Sequence, residues 1–210
     1  MARTETEPPA TVPGTRDRIV DAALSTLKRE GYSRTSARTI ARTGDFNQAL
    51  IFYHFGGVNE LLLAAVDRVS TERMARYRAA LDPVTDIAEF VTVAERLYRE
   101  DLDSGHTTVL AEMVAASLAE PALGPHIVER MDGWVDYAEE LIGRLTKGTP
   151  MALLVAPRDL AGAVIAFYLG IEVLTHLDGN RHRADPLFAS GKRAAALLQT
   201  LVGGAAGAPQ

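Results

Sequence analysis

Residues 35–62 read TSARTIARTGDFNQALIFYHFGGVNELL, and they carry the most specific structural pattern of the chain. It begins with a short helix predicted over about 36–43, because Thr35 or Ser36 can cap its first turn. Gly44 then ends the helical pattern and marks a tight turn. The rest of the stretch returns to a helical pattern, so two short helices follow one another closely.

The second of these short helices follows the break at Gly44-Asp45-Phe46. Asn47 can cap it, and its helical pattern continues to about Phe55. Upstream, apolar residues at helical spacing predict another helix over about 16–30, which Gly31 ends. Three compact helices with a tight turn between the last two predict a helix-turn-helix motif. In that motif the third helix lies in the major groove of DNA.

Apolar and basic residues within these helices agree with the motif without proving it. Four apolar residues fall where the two short helices must pack together: Ile40, Ala41, Phe46 and Ile51. Arg34, Arg38 and Arg42 recur every four residues, so they line one helix face. Such a face either contacts DNA phosphates or is simply solvated, and these residues alone leave both interpretations open.

Residues 16–62 resemble the N-terminal domain of the TetR family of transcriptional regulators. The resemblance includes Gly31-Tyr32 after the first helix, the Thr at the start of the second helix and the pair Ile40-Ala41. Its most specific part is IFYHF at residues 51–55, ahead of ELL at residues 60–62. Few other helix-turn-helix families share this aromatic and histidine end. The resembling segment is under a quarter of the chain.

The resemblance implies that residues from both short helices contact DNA. Those implied to contact phosphates are Thr35, Ser36, Tyr53 and His54. Those implied to face base edges are Gln48, Ala49 and Leu50, and a Gln side chain can form two hydrogen bonds to adenine. Arg38 and Arg42 either contact the DNA backbone or belong to a solvated helix face, and the two interpretations are equally open. Asn47 is the last residue of the expected DNA-binding set. Phe52 and Phe55 are expected in the core.

Two positions depart from the family pattern. The turn residue four after Ala41, which is usually Gly, is Asp45, and a Gly stands one place earlier at Gly44. Asp tolerates a left-handed backbone better than most residues, so the turn is expected to survive. The family's usual Lys after the recognition helix is Val58 here. This change removes one phosphate contact and lowers the expected electrostatic share of DNA affinity.

The composition is that of an ordinary globular protein, with 210 residues of which 47% are apolar and 23% charged. The absence of cysteine excludes a disulfide framework, a zinc finger, a thiol nucleophile and iron–sulfur ligation. The net charge is −5, but residues 1–56 carry +2 and residues 57–210 carry −7. The positive part of the chain therefore coincides with the helix-turn-helix.

Helical spacing continues through the rest of the chain and predicts an all-α fold. Six helices are expected after the helix-turn-helix, over about 59–81, 85–102, 107–119, 124–146, 157–178 and 186–203. We therefore predict four segments along the chain. They are a disordered tail over 1–14, a three-helix helix-turn-helix DNA-binding domain over 15–58, a six-helix effector-binding and dimerisation domain over 59–202, and a disordered tail over 203–210.

The larger domain carries no recognisable catalytic motif, since it lacks a Gly-rich phosphate loop, GxSxG and HExxH. Glu172 and His176 stand four residues apart, which is a possible metal-ligand spacing, but two residues do not make a site. We therefore expect no enzyme activity, no cofactor and no metal. The alternatives left open are an adaptor or constitutive DNA binder without an effector, and an all-helical enzyme.

The last two helices, about 157–178 and 186–202, are apolar around most of their circumference. One side of such a helix faces the protein's own core, and the other side needs a partner. TetR-family proteins dimerise through their last two helices, so the resemblance implies a homodimer. A monomer with an unusually apolar core is the alternative.

The second domain of the family normally holds an effector pocket, and large apolar residues of the later helices are candidates to line it. They are Met113, Met131, Trp134, Tyr137 and Phe167, each of which could instead belong to the core. We expect a cavity of roughly 300 Å³ or more with Trp134 at or near it. The effector is unknown, and a neutral or lipophilic molecule is favoured.

No apolar run in the sequence approaches the roughly 20 residues of a membrane span, and the first residues lack the apolar core of a secretory signal. We therefore expect a cytoplasmic protein with no membrane partner. The expected partners are double-stranded operator DNA, a second copy of the chain and an unknown small-molecule effector. The function implied is that of a repressor released by that effector.

Asp45 is expected at or near a left-handed φ, because the chain must reverse there between two short helices. Asp45→Gly should then leave the free energy of unfolding unchanged or slightly higher, since Gly adopts this conformation without strain. The β-branched Asp45→Val should lower it by about 1–2 kcal/mol, measured by chemical unfolding. A Val variant as stable as the wild type would show that the reversal does not depend on this residue.

Overall fold

The computed structural model describes residues 14–149 and 151–205, with side chains described through residue 197 apart from Met151. The tails predicted over 1–14 and 203–210 fall mostly outside these ranges. Within them, Gly14 immediately precedes the first helix, and the last helix continues to Ala205. The predicted end of that helix at Gly203 is therefore two residues short.

The described part of the chain is entirely helical and contains no strand, which confirms the predicted all-α fold. A 3-10 helix at Tyr32–Arg34 accompanies ten α-helices. They are α1 (Thr15–Glu30), α2 (Ala37–Gly44), α3 (Ala49–Phe55), α4 (Val58–Leu81), α5 (Ile87–Ser104), α6 (His106–Ala119), α7 (Leu123–Thr146), α8 (Met151–Leu154), α9 (Pro157–Asp178) and α10 (Asp185–Ala205). The chain forms two compact units, Met1–Ala65 and Val66–Gln210.

Two short elements go beyond the nine helices expected from the sequence. They are the 3-10 helix and the four-residue α8. Both are a single turn long, too short to show the repeating apolar spacing that identifies a helix. Longer helices end where their terminators predict: Gly31 has a φ of 75° after α1, and Gly179 has a φ of 67° after α9.

The N-terminal unit has a small apolar core built from its first three helices. Ile19 of α1, Ile40 of α2 and Ile51 of α3 are fully buried. Beside this core the hydroxyls of Thr26 and Thr43 lie 3.0 Å apart and join α1 to α2. Ile40, Ala41 and Ile51 are buried as expected, and α2 packs on α1.

Close packing at the end of α2 explains why Gly stands at position 44. A Cβ atom there would lie 2.3 Å from the ring of Phe46 and 2.8 Å from Cβ of Ala22. Carbon atoms do not approach this closely without displacing their neighbours. Gly44 therefore serves the packing of α2 against α1, and the left-handed turn falls on the next residue.

The core of the C-terminal unit is formed by α4, α5, α7 and α9. Tyr77 of α4, Leu97 of α5 and Trp134 of α7 belong to one buried cluster, and Tyr168 of α9 packs against it. The rings of Tyr77 and Trp134 meet edge to face with their centroids 5.2 Å apart. Helix α10 packs on α5, and α6 packs on both α7 and α9.

Helix α9 is unusually apolar for a helix that is so exposed. Its 18-residue window of highest mean hydropathy reaches 1.7, yet only 22% of that window is buried. Among the described residues it is the single helix long and apolar enough to cross a membrane. Helices α3 and α4 meet both conditions only when taken together, and they are bent by 66° relative to each other. The exposed side of α9 is therefore a surface that needs covering.

Gly44→Ala is expected to lower the free energy of unfolding by about 1–3 kcal/mol, because the added methyl group overpacks the contact with Phe46 and Ala22. Gly133→Ala is the matched control, since Gly133 lies inside α7 with open space around it. That change should raise stability by roughly 0.5–1 kcal/mol through helix propensity. Denaturant unfolding of both variants checks the pair, and equal shifts in the same direction would contradict it.

Candidate nucleic-acid interface and ligand cavity

The turn between α2 and α3 is made by Asp45. Its φ and ψ are 50° and 58°, and it is the single non-glycine residue with a positive φ in the described part of the chain. Its backbone N–H donates to the carbonyl of Ala41, and the N–H of Phe46 donates to the same carbonyl at 3.1 Å. The prediction of a left-handed Asp45 is confirmed.

A reciprocal cap fixes the start of α2. The Ser36 hydroxyl oxygen accepts from the backbone N–H of Thr39 at 3.2 Å, and the Thr39 hydroxyl accepts from the N–H of Ser36 at 2.8 Å. The neighbouring Thr35 hydroxyl donates to the carbonyl of Gly31 at 2.7 Å. Ser36 is thus the capping residue of the two candidates, and the proton of Thr35 must leave an internal acceptor before it can reach a phosphate.

Asn47 lies two residues before α3, the recognition helix, whose first residue is Ala49 and whose N-cap residue is Gln48. Its Oδ1 atom accepts from the backbone N–H of Ala49 at 2.9 Å, so the side chain satisfies one of the amides that a helix start leaves without a partner. Its carbonyl accepts from the N–H of Leu50 at 3.0 Å. The structure thus gives Asn47 a capping role, and its expected contact with DNA stays a prediction.

The outer face of α3 carries the residues expected to meet DNA. Gln48 and Ala49 are exposed, and Leu50 and His54 are half-buried. Tyr53 is 82% exposed, and its ring meets that of His54 edge to face at 4.9 Å. The predicted set therefore includes four residues of α3, with Gln48 immediately before the helix.

The placement of Phe52 in the core is wrong. Phe52 is 52% exposed. The seven-residue α3 buries one face only, and that face carries Ile51. Phe55 is half-buried, and the guanidinium of Arg16 lies 4.7 Å above its ring. Phe52 thus adds an apolar group to the outer surface of α3 that sequence spacing did not reveal.

Arg38 and Arg42 are both exposed on α2, but their surroundings differ. Arg42 lies 3.7 Å from a carboxylate oxygen of Glu30. A hydrogen bond from Arg29 and the positive charges of Arg29, Arg42 and Arg34 lower the pKa of Glu30. An acidic side chain therefore offsets part of the positive charge near Arg42, and Arg38 is the better placed of the two for a phosphate.

The C-terminal unit contains a cavity of about 110 Å³ lined mainly by apolar and aromatic side chains. Met131, Trp134 and Tyr137 line it as expected. Met113 is fully buried away from the cavity, and Phe167 is 54% exposed on the outer side of α9. The volume is smaller than the expected 300 Å³, since the rings of α4, α7 and α9 fill much of the space between the helices.

An ionic cluster forms the polar end of this cavity. Nη2 of Arg73 lies 2.7 Å from Oδ2 of Asp101 and 3.0 Å from Oε1 of Glu172. Arg76 also pairs with Asp101, and the imidazole of His106 lies 3.6 Å from that carboxylate. Arg73, Asp101 and Glu172 are at most 7% exposed, so three charged side chains of α4, α5 and α9 are buried together.

The two carboxyl groups of the cluster shift in opposite directions. Burial opposes ionisation of Asp101, but His106, Arg73 and Arg76 outweigh it and lower the pKa to about 2. Burial dominates at Glu172 and raises its pKa to about 7, although Arg73 acts in the other direction. Asp101 is therefore the fixed negative charge beside Arg73, and Glu172 is the group whose proton responds to its surroundings.

Sequence reasoning missed most of this cluster. Glu172 was considered only as half of a metal pair with His176, but His176 lies 3.3 Å from Glu112 instead. The described residues contain no group of three or more side chains suited to a metal ion. One signal was available, since Arg73 falls on the stripe of α4 that also carries the buried Val69 and Tyr77. A charged residue on a buried stripe calls for a buried counter-charge.

Asp101→Asn is expected to lower the free energy of unfolding by about 3–5 kcal/mol, because Arg73 loses a buried counter-charge. Asp136→Asn, at a carboxylate that is 65% exposed and paired with Arg158, should cost about 1 kcal/mol or less. The lowered pKa of Asp101 stabilises the fold above its unfolded value of about 4, and this contribution is lost as the pH falls towards 2. Unfolding measured from pH 7 to pH 2 checks both points, and similar losses in the two variants would contradict them.

Comparison with known proteins finds relatives of the helix-turn-helix by sequence and of the whole fold by structure. Residues 19–65 match the family model of bacterial regulatory proteins of the tetR family. The HTH-type transcriptional regulator YttP of Bacillus subtilis (strain 168), named as probable, is 40% identical over 48 residues. That match spans 23% of this chain and 23% of YttP, so it concerns the helix-turn-helix alone.

Two solved structures share the fold over most of the chain. The fatty acid degradation regulator FadR from Bacillus halodurans superposes with a TM-score of 0.69 at 17% identity, covering 90% of this chain and 96% of FadR. The multidrug binding protein EbrR complexed with malachite green has a TM-score of 0.61 at 24% identity, covering 89% and 98%. Residues 19–65 thus form a helix-turn-helix domain of the tetR family, and the chain shares its all-helical fold with these two structures.

Proposed function

We propose that the chain is a homodimeric repressor that binds a palindromic operator and is released by a small molecule held in the C-terminal cavity. The observation that carries the proposal is the outer face of α3. Asp45 and Asn47 fix the turn and the start of this helix, and Ala49 and Tyr53 are exposed on its outer face. An exposed, well-capped short helix of this kind is suited to the major groove.

The residues of α2 and α3 divide into two kinds of contact. Gln48 has an amide that can pair with adenine, and Ala49 and Leu50 can contact thymine methyl groups. Tyr53, His54 and Arg38 offer donors to phosphate oxygens, which position a protein on DNA without reading its sequence. The first backbone N–H groups of α2 add donors at a helix start, where the dipole favours an anion.

The exposed side of α9 supports a homodimer. Ala163, Phe167, Gly170, Leu174 and Leu177 recur at helical spacing along that side, and all are exposed and uncharged. Small residues at two of these positions allow a facing helix to approach closely. Leu187 and Leu197 of α10 are also exposed apolar side chains.

A second copy of the chain accounts for this surface better than a lipid bilayer. The opposite side of α9 packs on α7 and carries Glu172, which is buried against Arg73. A helix held in this way belongs to the folded C-terminal unit and cannot leave it without exposing a buried ion pair. We therefore propose that α9 does not cross a membrane and that the protein is cytoplasmic.

The cavity supports release by an effector. EbrR, which has the same fold, is a multidrug binding protein and is complexed with malachite green. In this chain the cavity lies in the C-terminal unit, so a ligand there can act on DNA binding only by favouring one conformation over another. Coupling of this kind is reciprocal, and DNA must weaken ligand binding by the factor with which the ligand weakens DNA binding.

Selection from random duplexes should return an inverted repeat with half-sites roughly 34–36 Å apart. Gln48→Ala should relax the preference at one base pair in each half-site, with a loss of about 1–3 kcal/mol of discrimination. Tyr53→Phe and His54→Ala should instead weaken binding to all sequences alike. Recovery of no palindrome, or loss of sequence preference in the Tyr53 variant, would count against this assignment of contacts.

Leu174→Asp should convert the dimer to a monomer and lower operator affinity more than tenfold, because a buried unpaired carboxylate is costly at the centre of an apolar interface. Leu153→Asp provides the matched control, since Leu153 is 89% exposed on α8, away from the proposed interface. Sedimentation at micromolar concentration measures the oligomeric state, and circular dichroism verifies that the variants fold. A wild-type protein that sediments as a monomer would refute the dimer.

A further inference from the structure

The polar groups in the wall of the cavity are nearly all hydrogen-bonded already. The indole N–H of Trp134 donates to the Ser70 hydroxyl at 2.8 Å, and the Tyr137 hydroxyl donates to Asp82 at 3.1 Å. The hydroxyls of Tyr77 and Tyr168 lie 2.6 Å from each other, and both are within 3.1 Å of an Asp101 carboxylate oxygen. None of these groups needs a ligand.

Two buried atoms of the cavity-lining side chains are exceptions. Nε of Arg73 and Oε2 of Glu172 have no hydrogen-bond partner among the described residues. Both side chains line the cavity, and they are 7% and 1% exposed. One atom is a donor and the other an acceptor, and each is costly to leave unpaired in a buried site. A single group that both donates and accepts can satisfy the two.

The charges around the cavity are balanced without a ligand. At a pH above the raised pKa of Glu172, the two positive charges of Arg73 and Arg76 are matched by the two negative charges of Asp101 and Glu172. Cationic contacts are also in place, since the guanidinium carbon of Arg73 lies 5.4 Å from the ring centroid of Trp134 and 5.9 Å from that of Tyr168. A ligand with a net charge would therefore enter an apolar cavity with no counter-charge left for it.

We propose that the cavity binds an uncharged ligand with an apolar body and one hydroxyl or carboxamide group, which donates to Glu172 Oε2 and accepts from Arg73 Nε. The aromatic side chains of α4, α7 and α9 hold the apolar body. This proposal rests on the effector role proposed above and adds the chemical class of the ligand.

Five probes with one phenyl ring test the chemical class. 3-Phenylpropan-1-ol and 3-phenylpropylammonium differ only in the terminal group, as do 3-phenylpropanamide and 3-phenylpropanoate. Butylbenzene has a similar apolar body and no polar group. Binding of each probe to the full-length protein is measured by calorimetry and by the fluorescence of Trp134, the only Trp of the chain, which lines the cavity.

The alcohol and the amide should bind about tenfold more tightly than butylbenzene, because each satisfies both unpaired atoms. Each should also bind more tightly than its charged counterpart. Tightest binding by the ammonium compound would show that Glu172 acts as an unbalanced negative charge, and tightest binding by the carboxylate would show the same for Arg73. Equal binding of butylbenzene and the alcohol would show that the two polar atoms take no part. Each of these three results overturns the proposal.

Glu172→Gln provides a sharper version of the test. The variant leaves one positive charge of the cluster unbalanced, so 3-phenylpropanoate should bind more tightly than 3-phenylpropanamide, which reverses the wild-type order. Glu112→Gln is the matched control, since Glu112 pairs with His176 outside the cavity, and it should keep the wild-type order. An unchanged order in the Glu172 variant overturns the proposal, and the wild-type ranking decides it if that variant does not fold.

Release of operator DNA is measured separately with the same probes. If the alcohol and amide bind best but leave the DNA complex intact, the ligand class stands and the effector role fails. If a charged probe binds best and releases the DNA, the effector role stands and the ligand class is wrong. The two proposals therefore fail in different experiments.

Discussion

The guanidinium of Arg73 is buried with the carboxylates of Asp101 and Glu172, so one ionic contact joins α4, α5 and α9 inside the C-terminal unit. Separating any one of these helices would leave a charge in an apolar core, at a cost of several kcal/mol. The same contact forms the polar end of the cavity. The chemistry available to a ligand is therefore fixed by the interaction that holds the surrounding helices in place.

The N-terminal unit depends on a smaller constraint, divided between two neighbouring residues. Gly44 has no Cβ and lets α2 approach α1, and Asp45 takes the left-handed conformation that reverses the chain. As a result α3 begins in a fixed direction, with Gln48 and Tyr53 on its outer side.

Helix α9 serves two surfaces at once. Its inner side contributes Glu172 to the ionic cluster and Tyr168 to the aromatic core, and its outer side is an uncharged stripe that includes Phe167 and Leu174. A partner on the outer side and a ligand on the inner side would therefore contact the same rigid element. This shared helix gives the two proposed events a physical connection.

The nine longer helices, the helix-turn-helix and the left-handed Asp45 follow from the sequence alone, because caps, terminators and apolar spacing act over a few residues. Among the five candidates for a cavity lining, Met131, Trp134 and Tyr137 do line it. The exposure of Phe52, the small volume of the cavity and the contact between Arg73 and Glu172 become visible only in the folded molecule. These outcomes depend on which helices pack together, and residues 99 positions apart in the chain leave no local pattern to reveal their contact.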